Sequence, residues 1–89
     1  MKIPENLDGA KIIEYSIGGG FGIVNDEEFG EIEIFALAIC SYNGDSEIYL
    51  FSCDRSLNVI SDTLHDTIED AKVFAQKYYD LHNIAWTKP

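Results

Sequence analysis

The chain has 89 residues, with 16 Asp and Glu against six Lys and Arg, so its formal net charge at pH 7 is -10. A chain this short holds one hydrophobic core, which predicts a single domain over residues 1–89 and excludes a separate cofactor domain. A surface of this charge repels phosphate backbones and anionic lipids, which argues against nucleic-acid and membrane partners.

The first third of the chain predicts a short strand followed by a glycine-rich turn. Residues 11–17 (KIIEYSI) are β-prone, which favours a strand. The run from Gly18 to Gly22 (GGGFG) then predicts a flexible turn or bulge, because consecutive glycines weaken any regular element. A small-ligand loop is the alternative, but a P-loop requires Lys and then Ser or Thr after its last glycine, and here Ile-Val follows.

The middle of the chain predicts a β-hairpin. Residues 31–42 (EIEIFALAICSY) are the longest strand candidate, and Asn43-Gly44 is a strong turn signal before a second strand over residues 46–53. Opposite residues of an antiparallel pair share a face, whether the loop holds two residues or four. One face is therefore expected to carry Phe35, Leu37, Ile39, Ile48 and Leu50, and the other Ala36, Ala38, Cys40, Tyr49 and Phe51.

Both faces of this predicted hairpin are apolar, and a single helix covers only one of them. Unless the terminal segments fold over it, the face with Tyr49 and Phe51 should be partly exposed. Exposed apolar patches of this kind usually mark partner or dimer surfaces. Tyr49 and Phe51 are therefore candidates for partner binding or for homodimer formation.

The last third of the chain predicts a short strand over residues 57–60 and then a helix. The helix is expected from Asp66 or Thr67 to about His82, because a carboxylate three residues after the cap completes a capping box. Its apolar face is expected to hold Ile68, Ala71, Phe74, Ala75, Tyr78 and Leu81, with Lys72 on the solvent side. The tail is expected either to add an edge strand or to pack Trp86 on the core.

These elements together predict an α+β fold: a small, mostly meandering antiparallel sheet with one carboxy-terminal helix packed on one face. No apolar run reaches the length of a membrane span or of a signal-peptide core. Two cysteines are also too few for a disulfide scaffold. A reducing cytoplasm is the expected location.

The residues that could carry chemistry lack the spacing of a known catalytic or metal site. His65 and His82 are expected to be structural or exposed, and Cys40 and Cys53 to be buried, inert thiols. Cys53 should lie roughly 13 to 20 Å along the strand from the position opposite Cys40, beyond the limit of about 7 Å for a disulfide. We therefore predict no catalytic residues, no metal, no cofactor and no intramolecular disulfide.

Acidic residues form two clusters. The first contains five carboxylates within eight residues and no basic residue: Asp26, Glu27, Glu28, Glu31 and Glu33. The second contains Asp62, Asp66, Glu69 and Asp70. A solvated face is the commonest reason for such runs, but a surface of one sign also steers a basic partner toward it. The first cluster is therefore the predicted contact with a basic protein partner.

Residues 47–79 (EIYLFSCDRSLNVISDTLHDTIEDAKVFAQKYY) resemble the carboxy-terminal half of many small stand-alone bacterial proteins. The shared features are a strand ending in Cys-Asp, a second strand, an Asp, and a capped helix that begins with Glu-Asp-Ala. Some such acidic proteins resemble immunity proteins, which neutralise secreted bacterial toxins that are often nucleases. The resemblance implies a non-catalytic inhibitor and identifies no site residues. The alternative is a homo-oligomeric accessory protein that uses the Tyr49 and Phe51 face, with an enzyme in third place.

Overall fold

The computed structural model describes residues 3–42, 46–79 and 84–89. Within these ranges the chain forms seven strands and one helix. In chain order they are β1 (Asn6–Leu7), β2 (Ala10–Ile17), β3 (Ile23–Asp26), β4 (Gly30–Glu33), β5 (Ala36–Ser41), β6 (Ile48–Cys53), β7 (Val59–His65) and α1 (Ile68–Tyr78).

Five strands form one antiparallel sheet in the order β1-β2-β5-β6-β7, and β3 and β4 form a separate two-stranded sheet. The helix packs on one face of the larger sheet, against β6 and β7. This arrangement confirms the predicted small α+β fold, with the β3–β4 pair inserted between two neighbours of a meander. The described residues contain no helix with the length and apolar character needed to cross a bilayer.

The long strand predicted over residues 31–42 is interrupted at Ile34 and Phe35. The backbone N–H of Ile34 donates to Gly22 at 3.0 Å, whereas that of Phe35 donates to Cys53 at 2.8 Å. Because the pleat is broken here, Ile34 packs on the helix side of the sheet and Phe35 on the opposite side. The assignment of Phe35 to the same face as Leu37 was therefore wrong.

The register of β5 and β6 places Ile39 opposite Leu50 and Cys40 opposite Tyr49. This register matches the longer of the two loops considered from the sequence, and the remaining face assignments are confirmed. Residues 43–45, which include the predicted Asn-Gly turn, lie outside the described residues.

The face that carries Tyr49 and Phe51 is covered. Phe51 is 2% exposed, and Tyr49 is half-buried. The amino-terminal segment folds over this face, because Leu7, Ala10 and Ile12 pack in the same cluster as Phe51. The expectation of an exposed aromatic face was therefore wrong for Phe51: a second layer of chain, and not a partner, removes it from solvent.

The helix begins after Thr67, whose Oγ1 accepts a hydrogen bond from the backbone N–H of Asp70 at 3.0 Å. This contact confirms the predicted cap. The helix ends at Tyr78, because Tyr79 has an extended backbone, so the predicted end at about His82 was wrong. Residues 80–83 lie outside the described residues.

The buried stripe of the helix is rotated relative to the predicted one. Ala71 and Ala75 are fully buried, as expected, but Tyr78 is 61% exposed, and Tyr79 packs on the core instead. At about 100° per residue, Tyr79 lies about 40° from Ala75 and Lys72 about 60° from it on the same side, whereas Tyr78 lies about 60° away on the other side. The buried stripe is therefore shifted toward Tyr79 and Lys72. The predicted docking role of Tyr78 and the solvent-side position of Lys72 were both wrong.

The tail packs Trp86 on the core, as one of the two alternatives predicted, and forms a single bridge to β2 rather than the edge strand of the other alternative. Tyr15 and Thr87 exchange backbone hydrogen bonds of 2.9 and 2.8 Å, which adds a single bridge to the edge of β2. Trp86 meanwhile packs against the core on the helix side of the sheet.

Candidate partner-binding hairpin

The acidic segment forms the β3–β4 hairpin. Its strands pair with Asp26 opposite Gly30 and Val24 opposite Ile32, which leaves three residues in the turn. Oδ1 of Asp26 accepts hydrogen bonds from the backbone N–H groups of Glu28 at 2.8 Å and of the next residue at 3.0 Å. Gly30, which follows the turn and pairs with Asp26, has a φ of 79°, a left-handed backbone conformation that glycine adopts without steric cost. Asp and Gly therefore shape this turn.

The hairpin has two different faces because its side chains alternate. Val24 and Ile32 are half-buried on the inner face, and Val24 packs against the core on the helix side of the sheet. The outer face consists of exposed residues, namely Ile23, Asn25, Glu31 and Glu33. The Glu-Ile-Glu pattern of β4 thus presents its two carboxylates to solvent on one side.

The five carboxylates predicted as a site lie on one hairpin but have different roles. Glu27, Glu28 and Glu31 are exposed at the turn and on the outer face. Asp26 is half-buried and holds the turn, so its carboxylate is partly occupied by backbone donors. Glu33 lies at the base of the hairpin, where it is paired with a cation.

That cation is Arg55, so the acidic cluster is not without a compensating charge. Nε and Nη2 of Arg55 each lie 3.0 Å from Oε1 of Glu33. The guanidinium also lies 4.7 Å from the centre of the Phe35 ring, within the range of a cation–π contact. Nothing in the local sequence pattern indicated this pair, because its members are 22 residues apart.

The loop between β6 and β7 holds Arg55 in place. Oδ1 of Asp54 accepts hydrogen bonds of 2.9 Å from the backbone N–H groups of Ser56 and Asn58, and Oδ2 accepts one of 3.2 Å from the Asn58 side chain. Burial by itself raises the pKa of Asp54, but these hydrogen bonds outweigh it and hold the pKa below its usual value. The Asp of the Cys-Asp pair noted in the sequence is therefore a loop anchor.

The glycine run forms the connection into the hairpin. Gly18 and Gly19 both donate their N–H groups to the carbonyl of Phe35, at 3.1 and 3.0 Å. Gly19 has a φ of 82°, and a Cβ at this position would lie 3.2 Å from Oε2 of Glu33. Phe21, in the middle of the run, is 2% exposed and packs in the core. The run is thus a structured crossover that anchors the hairpin, in agreement with the predicted turn.

The residue that sequence reasoning missed is Phe29. Its side chain is 74% exposed at the tip of the hairpin, among the glutamates of the turn, and Ile23 on the outer face is 54% exposed. The signal for Phe29 was an aromatic residue inside the acidic turn Asp-Glu-Glu-Phe-Gly. The hairpin is therefore both acidic and apolar, a combination suited to a protein partner.

The other candidate residues are not part of this site. Phe51 is buried in the main sheet, and Tyr49 makes an edge-to-face contact with Tyr42, with ring centres 5.2 Å apart. The second acidic cluster lies on β7 and at the start of the helix, where all four carboxylates are exposed.

The cysteines are free and buried. Burial raises the pKa of both thiols to about 12, with smaller contributions from Cys53 on Cys40, and from Asp54 and Asp8 on Cys53. Cys53 lies four residues along β6 from Tyr49, which is opposite Cys40, in agreement with the predicted absence of a disulfide. Among the residues that the structure describes, no group of His, Cys, Asp and Glu is arranged to hold a metal ion.

Comparison with known proteins gives no assignment. No protein-family model matches the chain, and no curated protein or solved structure matches it significantly.

Proposed function

We propose that the protein is a non-catalytic, acidic binding protein, most concretely a cytoplasmic immunity or inhibitor protein that neutralises a basic toxin or nuclease. The observation that carries this proposal is the hairpin tip, where Phe29 is 74% exposed beside the exposed carboxylates of Glu27, Glu28 and Glu31. The resemblance of residues 47–79 to small bacterial immunity-type proteins also supports it.

The carboxylates supply long-range attraction. With a net charge of -10, the protein attracts a basic surface, and charge steering can raise association rates toward about 10⁸ M⁻¹s⁻¹ at low salt. Exposed charges are screened beyond about 10 Å at 0.1 M salt. Association should therefore slow steeply as the ionic strength rises.

Phe29 supplies the short-range contact. Tight interfaces depend on a few large side chains that enter pockets on the partner, whereas exposed charges at the rim contribute little to affinity. The hydrogen bonds that Asp26 accepts from the turn and the pair between Glu33 and Arg55 hold the tip before binding, so less conformational entropy is lost on association. The hairpin thus fits a cleft with an apolar floor and a basic rim, such as the active site of an enzyme that binds phosphates.

The homo-oligomeric alternative loses its structural basis, because it required an exposed face that included Phe51, which is buried.

The test compares two variants with equal charge. The hairpin variant carries Glu27→Gln, Glu28→Gln and Glu31→Gln, and leaves the Glu33 pair intact. The control variant carries Glu5→Gln, Asp8→Asn and Glu47→Gln, which neutralise three exposed carboxylates outside both acidic clusters. Each is used with wild type to capture proteins from the source cell, and the captured partner is then purified for stopped-flow kinetics.

We expect wild type and the control variant to retain a basic protein and to inhibit it, and the hairpin variant to associate about tenfold more slowly at low salt. Phe29→Ala should mainly speed dissociation, by about tenfold or more, if Phe29 is a buried anchor. Val73→Ala removes apolar surface from another exposed site and should change neither rate. Equal association rates for wild type and the hairpin variant at every salt concentration would disprove the proposal.

A further inference from the structure

The two edges of the main sheet are treated differently by the fold. At the β2 edge, both chain ends are hydrogen-bonded: Ile12 donates to Glu5 at 3.0 Å, and Tyr15 exchanges two bonds with Thr87. The short strand β1 pairs along the same edge. The amino-terminal and carboxy-terminal segments thus close this edge against additional strands.

The β7 edge is open in the described parts of the chain. β7 is seven residues long and pairs with β6 along one side. In residues 3–42, 46–79 and 84–89, no strand pairs with its other side, and no backbone hydrogen bond outside the β6 pairing involves residues 59–65. An edge strand with free N–H and C=O groups can accept a further strand, which is a common mode of peptide recognition.

The negative charge near this edge favours a basic partner strand. Residues 56–71 contain four carboxylates and no Lys or Arg. All four carboxylates are exposed, and the first of them, Asp62, lies within β7 itself. A strand that pairs here therefore gains from positive charge and is repelled if it is acidic.

Two side chains on β7 further restrict which residues an added strand can carry. Asp62 is opposite Phe51 and Leu64 is opposite Tyr49, so both lie on the same face of the sheet. Asp62 is exposed, and Leu64 is 57% exposed. An added strand would place its own residues beside these two, so a basic residue and an apolar residue two positions apart would match them.

A second copy of the chain fits poorly. Each copy carries a net charge of -10, and an antiparallel pair of β7 strands centred on Asp62 would set the two carboxylates opposite each other. Charged residues on an exposed edge are a common device against self-pairing.

We propose that the outer edge of β7 is a second binding site, independent of the hairpin, that takes an extended basic segment as a sixth strand with Lys or Arg beside Asp62. The occupant is a segment of a partner protein with alternating basic and apolar residues on one face.

The test uses synthetic peptides on the intact protein. The probe has the sequence TKTVTKT with blocked ends, and the control has the sequence TETVTET. Backbone amide spectra and amide hydrogen exchange of the ¹⁵N-labelled protein are recorded with each peptide. We expect the basic peptide to slow exchange at alternate residues of 59–65 by about tenfold at saturation, and the acidic peptide to have no effect.

Two charge-matched variants locate the site. Asp62→Asn should weaken binding of the basic peptide about threefold, the size of an exposed ion pair, and Glu28→Gln on the hairpin should leave it unchanged. A basic peptide whose backbone nitrogens are all methylated keeps its charge but loses its donors, so it should not bind.

Four outcomes would overturn the proposed site. If Glu28→Gln weakens binding of the basic peptide, the peptide binds at the hairpin. If the methylated peptide binds as tightly as the unmethylated one, the interaction depends on charge alone and not on backbone hydrogen bonds. If protection of the β7 amides from exchange increases with protein concentration in the absence of peptide, the outer edge of β7 binds a second copy of the chain. A lack of saturable change at β7 with millimolar peptide would also disprove it.

Discussion

The ion pair between Glu14 and Lys72 connects β2 to the helix. A β-bulge between Ile12 and Glu14 turns the Glu14 side chain to the helix side of the sheet, where it is 8% exposed. Nζ of Lys72 lies 3.0 Å from Oε1 and 2.9 Å from Oε2. The aliphatic stem of Lys72 covers the border of the buried stripe while its ammonium group reaches the carboxylate.

Lys72→Ala should therefore destabilise the fold, in contrast to what its sequence position indicated. Removing one member of a buried ion pair typically costs about 3 to 5 kcal/mol, and because the Lys72 side chain is 28% exposed we expect about 2 kcal/mol. Lys77→Ala, at an exposed position of the same helix, should cost about 0.5 kcal/mol or less. Urea unfolding measures both losses of stability. Equal unfolding midpoints for the two variants would show that burying the Glu14 carboxylate does not require Lys72.

The buried thiols make stability depend on alkaline pH. An unperturbed thiol here has a pKa of 9.0, whereas burial raises the pKa of Cys40 and Cys53 to about 12 in the folded chain. The unfolded chain therefore loses these protons first. Their contribution is complete below pH 9 and declines as the pH rises from 9 toward 12, by about 1.4 kcal/mol per thiol per pH unit.

This decline can be separated from the titration of Lys and Tyr with a variant. The double variant Cys40→Ala, Cys53→Ala should be less stable at pH 8, because it removes buried volume, but its stability should fall less steeply between pH 8 and 10. Urea unfolding at each pH gives both slopes. Equal slopes for the variant and the wild type would contradict the raised pKa values.

At the scale of elements, the hairpin depends on contacts outside its own strands. A two-stranded sheet alone is marginally stable in water. Here Val24 packs on the core, Gly18 and Gly19 bond to Phe35, and Arg55 pairs with Glu33. The loop centred on Asp54 thus helps to determine how rigidly the acidic tip is presented.

Arg55→Ala should loosen the hairpin more than it destabilises the molecule. The side chains of the ion pair are 69% and 44% exposed, so the global cost should be about 1 kcal/mol or less. Amide exchange should become faster in β3 and β4, because their opening no longer breaks the pair. Arg55→Lys keeps the charge but loses the planar donors and should be intermediate. Unchanged exchange in β3 and β4, measured against β5, would show that the pair does not anchor the hairpin.

At the scale of the whole molecule, net charge opposes compactness. The pairs Glu14–Lys72 and Glu33–Arg55 each place a cation beside a carboxylate, but the net charge of -10 already counts these cations, so the excess negative charge remains. Raising the salt from about 0.01 M to about 0.3 M shortens the screening length from about 30 Å to under 8 Å, which weakens this repulsion. We expect the Tm to rise by a few degrees.

The hairpin variant, in which three glutamates are replaced by glutamine, has a net charge of -7. Its Tm at low salt should therefore be slightly higher than that of the wild type and should rise less with added salt. Differential scanning calorimetry at matched pH compares the two proteins. A Tm of the wild type that falls with salt would show that screened ion pairs outweigh the relieved repulsion.

Local pattern predicted much of the fold and part of the site. The strands predicted over residues 11–17 and 46–53 and the Thr67 cap follow from local propensity and from contacts within a few residues, and each is present in the structure. The acidic cluster was also visible as a continuous run. Its arrangement as a separate hairpin was not, because the break at Ile34 and Phe35 depends on backbone partners that lie far away in the chain.

The sequence by itself determined the fold class, the acidic surface and the positions of most elements, since these follow from composition, periodicity and short-range hydrogen bonds. Tertiary structure alone decided that the amino-terminal segment covers Phe51, that Lys72 faces Glu14, and that Arg55 holds Glu33. It also decided that the chain ends close one sheet edge, whereas no residue in the described parts of the chain pairs with the outer side of β7. The physical reason is that each of these contacts joins residues distant in sequence, so its existence depends on the packing of the whole chain.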